Sequence, residues 1–425
     1  MSFRHLEPRT GETTAQVIRF ALWPLAILTV LNRVIVKAVN GNITDDFRPV
    51  YNAAFAFLNR REVYTANFDS VDPHYLYPPS GTLVIAPLAI LDPERSRWMF
   101  IGVNALAVVV ALYLLLRMFE LSLSSVAAPV VLLAAFSTET VTNTLIFTNV
   151  NGLILLGEVL FMMLLLRRRY YLSGAAIGLT IAVKPTLAPL LLLPLVRKEW
   201  RVFVTALGIP LVLTLLALPL SVDAGAFITH TLPYLLESRD YFNSAIVGNG
   251  LYYGLPTVLV LALRAVFAAM VLVSLWLLWK YYRHDELFFV VTASGVLLVA
   301  SFLLTSLGQM YYSMMLFPLI MSVVLRNSVM RNWPAWLAVY GFLSYDSWLV
   351  GRFPEFGRAI EYLRSTWGWS LLIIVVFAVL LGRYLTARRE GRLDQGIDPA
   401  FLLDQPRTTA ATPSPAATAE SAPTH

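Results

Sequence analysis

Long apolar runs recur along this chain at a length that only a lipid bilayer makes necessary. Residues 105–116 and 370–381 with their flanks, and 257–279, each read as a membrane-spanning helix, because about 20 apolar residues cross a hydrocarbon core. No single buried core needs so many such runs. Of the 425 residues, 58% are hydrophobic and 14% charged, against about 25% charged in an ordinary soluble domain, so the surplus has to face lipid. The expected fold class is an all-α polytopic membrane protein.

Several function classes fall away at once. Cysteine is absent, which excludes disulfides, thiolate metal sites and cysteine nucleophiles. The five histidines are scattered without ligand spacing, so no metal site is expected and no cofactor is assigned, while any divalent-metal dependence stays open. Neither a P-loop nor a dinucleotide glycine fingerprint occurs, which argues against ATP-driven transport. The formal charge of +6 does not point to nucleic acid, because Lys and Arg flank apolar spans instead of forming an aromatic-interleaved patch.

Those basic residues set the topology instead. Six clusters punctuate the chain: Arg4, Arg9 and Arg19; Arg167, Arg168 and Arg169; Arg197, Lys198 and Arg201; Lys280 and Arg283; Arg326 and Arg331; Arg383, Arg388 and Arg389. The positive-inside rule places all of them in the cytoplasm. Full spans are then expected near 17–39, 97–118, 125–138, 148–166, 202–220, 256–279, 287–306, 311–326, 333–350 and 368–385, ten in all. The interval 169–197 is too short for two spans and reads as a re-entrant hairpin turning at Lys184 and Pro185. Outer loops are expected at 40–96, with amphipathic helices, and at 221–255 and 351–366; the last runs against the rule by carrying Arg352, Arg358 and Arg364. Residues 1–16 form a cytoplasmic N-terminus leading into an uncleaved first span, 17–387 the transmembrane domain, and 388–425 a disordered cytoplasmic tail.

The first outer loop carries the densest chemistry. Asp45 and Asp46 are adjacent carboxylates just beyond a span, and neighbouring side chains point apart, so one can face a cleft while the other caps the following helix. Asp46 is the candidate general base, taking a proton from a sugar hydroxyl. The plainer alternative is a helix N-cap before the amphipathic run Val50, Ala53, Ala54, Phe57 and Leu58. Tyr51, His74 and Tyr77 in the same loop are candidate substrate contacts, as is Asn143 in the Thr- and Asn-rich outer turn 137–151. Lys184 ends an apolar run at membrane depth, where an unpaired ammonium is costly; a phosphate partner explains it, and snorkelling is the bland alternative. The loop 221–255 adds Arg239 as a second phosphate candidate, since a guanidinium pairs with phosphate in a fork. His230, Asp240, Tyr241, Asn243 and Asn249 there, with Gln309, Tyr311 and Tyr312 at a later outer junction, suit sugar recognition, although solvated loop charge and an aromatic belt account for some of them equally.

Several segments together carry a resemblance: Asn42-Ile-Thr-Asp-Asp-Phe-Arg-Pro-Val-Tyr51, Asp72-Pro-His-Tyr-Leu-Tyr-Pro-Pro79, Thr138-Glu-Thr-Val-Thr-Asn143, Arg239-Asp-Tyr-Phe-Asn-Ser244, Gly248-Asn-Gly250, Tyr311-Tyr-Ser-Met-Met-Leu-Phe-Pro318 and Arg331-Asn-Trp-Pro-Ala-Trp336. From about residue 22 to about 399 the chain resembles arabinofuranosyltransferases of the C-fold (GT-C) class, which use polyprenol-phosphate sugars in mycolic-acid-bearing bacteria. The resemblance implies a GT-C bundle in the bacterial inner membrane with its active site on the outer, periplasmic face. It also implies decaprenyl-phosphoryl arabinofuranose as donor and inverting α-(1→3) transfer onto the arabinan of arabinogalactan and lipoarabinomannan. Asp46 matches the acidic base of that class, with Asp45 its neighbour, and Lys184-Pro185 matches a basic pair that can meet the donor phosphate. One departure stands at Gln309, Tyr311 and Tyr312, where mannose-transferring relatives often carry His. A mannosyltransferase using polyprenyl-phosphate mannose and a flippase for a lipid-linked saccharide remain the alternatives; the paired carboxylates favour an enzyme, because a flippase needs no base.

Overall fold

The structure, a computed structural model, describes residues 13–41, 46–70 and 72–393, and every regular element among them is helical. Asp45, Arg4, Arg9, most of the N-terminus and the tail from residue 394 lie outside the described residues.

Helix α1 (Thr14–Leu31) opens on a capping box: the Thr13 N–H donates to Gln16 Oε1 at 2.7 Å and the Gln16 N–H donates to Thr13 Oγ1 at 3.3 Å. It continues as π-helical turns over Asn32–Val39. The first expected outer loop holds α2 (Phe47–Leu58) and α3 (Pro79–Ile85), and α2 buries Phe47, Val50, Ala53, Ala54 and Phe57 on one face as its pattern predicts, while Leu58 is exposed. Helix α4 (Pro93–Met118) starts where Asp92 accepts from the Arg95 N–H and Pro93 fills the first turn. Then come α5 (Ala127–Ser137) and α6 (Glu139–Ile146), joined at a 60° bend where Thr138 ends one helix and caps the next.

Helices α7 (Asn151–Leu166) and α8 (Tyr170–Val183) form a tight pair. Lys184 is extended, and the chain returns through a 3-10 stretch, Pro185–Leu191, and α9 (Leu192–Val196), so the break falls where the hairpin was expected to turn. Proline lacks the N–H that would continue the helix and forces its predecessor out of the α region. Against α8 lies α10 (Trp200–Ala217). Their seam is lined by Gly174 and Gly178, where a Cβ would fall 2.6 Å from the Val202 carbonyl and 2.9 Å from that of Ala206. Small residues at this spacing let two helix backbones touch inside a membrane, where no hydrophobic force separates helix from lipid.

The second half comprises α11 (Leu232–Leu236), α12 (Ile246–Tyr252), α13 (Thr257–Leu277), α14 (Glu286–Leu304), α15 (Phe317–Met321), α16 (Trp333–Leu343) and α17 (Pro354–Arg389). Six segments are long and apolar enough to cross a membrane: Thr14–Val39, Pro93–Met118, Trp200–Leu220, Thr257–Tyr282, Glu286–Leu304 and Pro354–Arg389, with the bent α5–α6 pair as a seventh. The chain is a multi-pass membrane protein. Spans expected near 148–166, 311–326 and 333–350 are shorter than a bilayer needs: α7 has 16 residues, 310–324 is broken into 3-10 and α pieces, and α16 has 11. Short helices leave their polar ends inside the protein, and such ends are tolerated only where they line a cavity.

The segment 351–366, expected as a loop, is helical from Pro354 onward as the first turns of the 36-residue α17. Its Arg364 is 3% exposed. It pairs with Glu139 and, at 3.1 Å, with Glu361, so the most buried of the three arginines that ran against the topology rule is internally neutralised.

Candidate active site

Three interrupted helices bring their ends to one place. Asn151 begins α7, Lys184 follows α8, and the 3-10 turn Met310–Leu316 follows Gln309. Asp46, the residue before α2, faces this junction. It makes no capping bond of its own to α2 and instead accepts a hydrogen bond from Asn149 Nδ2 at 3.1 Å. Lys184 Nζ donates to Asn151 Oδ1 at 3.1 Å and stands over the rings of Tyr312 at 4.6 Å and Tyr311 at 5.5 Å. The charge of Asp46 acts on Lys184, Tyr77, Tyr311 and Tyr312 alike, and that of Arg239 reaches Tyr311 and Tyr312. One carboxylate and two cations thus act on one group of tyrosines.

The two asparagines divide the labour by necessity. A lysine only donates, so Asn151 must present its oxygen; an ionised aspartate only accepts, so Asn149 must present its nitrogen. Each then retains a buried amide atom, Asn151 Nδ2 and Asn149 Oδ1, without a partner among the described residues. Neither asparagine stands out from its neighbours in the sequence beyond the polar bias of 137–151. Their placement depends on Asn104 of α4, whose Oδ1 accepts the Leu153 N–H at 3.2 Å, and on Gly152, where a Cβ would fall 2.6 Å from the Asn104 carbonyl. The rear of the tyrosine wall is equally fixed: Tyr312 packs on Phe302, which packs on fully buried Trp369, whose indole donates to Ser313 Oγ at 2.9 Å. On the other flank Ser80 Oγ, in α3, donates to the Ala182 carbonyl at 2.7 Å, tying the first outer loop to the end of α8 beside Lys184.

Arg239 is held from its own loop. Its guanidinium donates to the Tyr234 hydroxyl and lies over the Tyr234 and Tyr241 rings at 4.6 and 5.4 Å. Burial and the 3.1 Å bond to Tyr241 push the Tyr234 phenol up to about 12 despite the nearby Arg239, so it stays protonated at neutral pH. Phe68 stacks on Tyr234 at 4.0 Å, and His74 and His230 pack on Phe68 at 5.1 and 4.7 Å. Phe68 and Tyr234 escape sequence reading as site residues because each becomes significant only once the loops meet. Both histidines spend an Nε2–H on a backbone carbonyl, His230 on Ala66 at 2.8 Å and His74 on Ser70 at 3.1 Å. Asp223 adds to the loop-to-loop stitching by accepting the Val63 and Tyr64 N–H groups at 2.9 and 2.7 Å.

Of the candidate residues, the structure therefore gathers Asp46, Tyr77, Lys184, Arg239, Tyr311 and Tyr312, with Gln309 attached through the Tyr311 hydroxyl and Tyr241 through Arg239. His74 and His230 belong to the neighbouring aromatic cluster. Others are engaged in holding the fold. Asn243 bonds the Arg239 and Ser306 carbonyls and the Ala245 and Gly308 N–H groups, at 2.7 to 3.0 Å. Asn249 donates to Thr366, Tyr51 donates to the Leu91 carbonyl at 2.9 Å, and Asn143 donates to Glu139 at 3.2 Å. Asp240 is exposed. Among the described residues no group of three or more His, Asp or Glu side chains is arranged to hold a metal.

The junction brings a carboxylate, an ammonium and a guanidinium among aromatic side chains. The family model for glycosyltransferase family 87 matches residues 75–306. The chain is 57% identical over 400 residues to an alpha-(1→3)-arabinofuranosyltransferase of Mycolicibacterium smegmatis, covering 93% of each protein. It is 58% identical to one of Mycobacterium tuberculosis, over 94% of this chain and 93% of that one. For the Corynebacterium glutamicum protein of the same name the identity is 41%, over 90% and 93%. No solved structure matches the chain. With the family model spanning more than half of its length and these relatives nearly all of it, this chain belongs to glycosyltransferase family 87.

Proposed function

We propose that this glycosyltransferase moves arabinofuranose from decaprenyl-phosphoryl arabinofuranose to arabinan, with inversion, forming α-(1→3) branches in arabinogalactan and lipoarabinomannan. The names of its relatives support the sugar and the linkage. The observation that carries the chemistry is Asp46, oriented by Asn149 and within electrostatic reach of Lys184.

The acceptor hydroxyl oxygen attacks the anomeric carbon of the donor. Its proton passes to the Asp46 carboxylate, and the bond from the anomeric carbon to the phosphate oxygen breaks with its electron pair left on the phosphate. Lys184, with Arg239 in electrostatic reach of the same tyrosines, stabilises the charge that develops there. No nucleotide is required, because the lipid phosphate is already a leaving group. Orientation by Tyr77, Tyr311 and Tyr312 supplies the remainder of the effect.

The reading extends to topology: a GT-C bundle in which the full spans are joined by shorter, broken elements, with the hairpin 169–197 re-entrant, set in the bacterial inner membrane, with Asp46 on the periplasmic side. The concentration of Arg and Lys at the ends of α7, α10 and α14 remote from Asp46 supports it through the positive-inside rule.

Purified protein incubated with synthetic polyprenyl-phosphate arabinofuranose and a linear α-(1→5) arabinan acceptor should form a new α-(1→3) linkage, and polyprenyl-phosphate mannose should not replace the donor. Asp46→Asn should lower turnover by about 10²- to 10⁴-fold at unchanged melting temperature. Undiminished transfer by the folded variant would rule out Asp46 as the base.

A further inference from the structure

Helices α7 and α8 meet the candidate active site at Asn151 and Lys184, and their other ends turn at Arg168, about 24 Å away for a helix of 16 residues. At that far end the α7–α8 turn, the α9–α10 turn and the α13–α14 connection enclose a cleft of about 420 Å3 lined by Arg168, Arg197, Lys198, Arg283 and His284. A second cavity of about 360 Å3 shares Arg168, Arg197 and Lys198 and adds Arg201. The positive-inside rule requires only that such residues lie on one side of the membrane. It does not require three separate basic clusters to meet in one concavity, where like charges repel.

Two carboxylates organise the cleft without neutralising it. Glu199 lies 2.9 Å from Arg197 Nε and 3.6 Å from Arg168, and Glu286 bonds Arg168 and stands 3.6 Å from Arg197. The lining then retains two permanent cations beyond those the carboxylates balance. Lys198 and Arg283 are exposed, as is His284. Two of the turns that line the cleft share one geometry. Each is a Schellman closure, with the Arg169 N–H reaching back to Leu164 at 2.8 Å and the Glu199 N–H to Pro194 at 2.8 Å. Glycine is the usual residue at the left-handed position of such a turn, yet Arg168 and Lys198 occupy it at φ 59° in both cases, each at a conformational cost. Arg60, Glu120 and Thr148 close turns of the same kind elsewhere in the chain, so this geometry presents the two cations at the cleft without setting it apart.

The cleft also opens beside exposed apolar surface. Trp279 and Val196 in its wall are 43% and 46% exposed, and Trp200 of the adjoining cavity is 56% exposed. Tryptophan at the end of an apolar helix marks the headgroup level. Basic pockets between transmembrane helices on the cytoplasmic side suit phosphate headgroups.

We propose that this cleft binds the phosphate of an anionic phospholipid from the leaflet opposite the active site, its oxygens accepting from Lys198, Arg283 and His284 and its acyl chains lying along Trp279, Val196 and Trp200. The site is separate from the donor site and does not depend on which sugar is transferred.

The test takes the full-length protein in mixed micelles of phosphatidylcholine and phosphatidylglycerol and counts retained lipids by native mass spectrometry. Wild type should retain phosphatidylglycerol selectively. The double variant Lys198→Gln, Arg283→Gln should lose about 30-fold in that preference, each basic residue near a headgroup contributing about a factor of five. Arg117→Gln with Arg331→Gln, the same charge change outside the cleft lining, should keep it. Unchanged preference in the first variant overturns the proposal, and so does equal loss in both, which would reduce the effect to net charge. Inorganic phosphate in an equimolar arm should displace little lipid; complete displacement would assign the site to a soluble anion and overturn the lipid source. If the double variant melts early, the single Lys198→Glu at an exposed position gives the same reading: retained lipid means the proposal fails.

Discussion

Replacing Lys184 with methionine separates a phosphate clamp from a structural lysine. The ammonium is held by one hydrogen bond to Asn151 and by the faces of Tyr311 and Tyr312, so methionine of similar length keeps the packing and removes only the charge. A phosphate oxygen settling about 4 Å from Nζ at an effective dielectric near 20 gains about 4 kcal/mol from that charge. At about 1.4 kcal/mol per decade this is roughly 10³ in kcat/KM for the lipid-phosphate donor. Stability should move the other way or not at all. A desolvated ammonium costs free energy in the fold, and its removal leaves only Asn151 Oδ1 short of a donor, for about 1 kcal/mol. The assay is transfer of arabinofuranose from synthetic donor to linear acceptor over a range of donor concentrations, beside a thermal melt of the same preparation. Lys184→Arg should fall between, since its charge returns on a planar group that the two tyrosine faces accommodate less well. Activity of Lys184→Met within tenfold of wild type would refute the clamp, and loss of activity together with early melting would make Lys184 a packing residue.

Asn149→Ala removes a donor from Asp46 and should cut turnover by about one to two decades with little effect on the donor KM, measured in the same assay. Asn243→Ala breaks four bonds, two within the Arg239 loop and two joining that loop to the segment before the 3-10 turn, and should destabilise the protein by about 3 kcal/mol in a thermal melt while sparing the activity of what remains folded. Gly152→Ala sets a methyl 2.6 Å from the Asn104 carbonyl; a cost of about 1–3 kcal/mol is expected, with activity falling further because Asn149 and Asn151 flank the displaced turn.

The sequence by itself determined the solvent and much of the plan. Apolar runs of bilayer length with few charges dictate helices in lipid, because each backbone N–H and C=O there must be satisfied within its own segment, and such runs are local features. The break at Lys184-Pro185 was legible for the same local reason: proline ends a helix wherever it falls in the chain. Asp46, Lys184, Arg239 and Tyr312 stood out as charges and aromatics in places that demand an explanation. Only the tertiary structure decided which of the candidates come together. Asn149 and Asn151 are two ordinary amides until one meets an aspartate before α2 and the other a lysine after α8, contacts that span 103 and 33 residues. Asn243 looks equally suited to a sugar, yet all its hydrogen bonds go to backbone, because the loop it sits in has to be fastened to chain more than 60 residues away. Hydrogen-bonding capacity is a property of the residue and visible in the sequence; what consumes it is set by packing between distant segments, which no local pattern records.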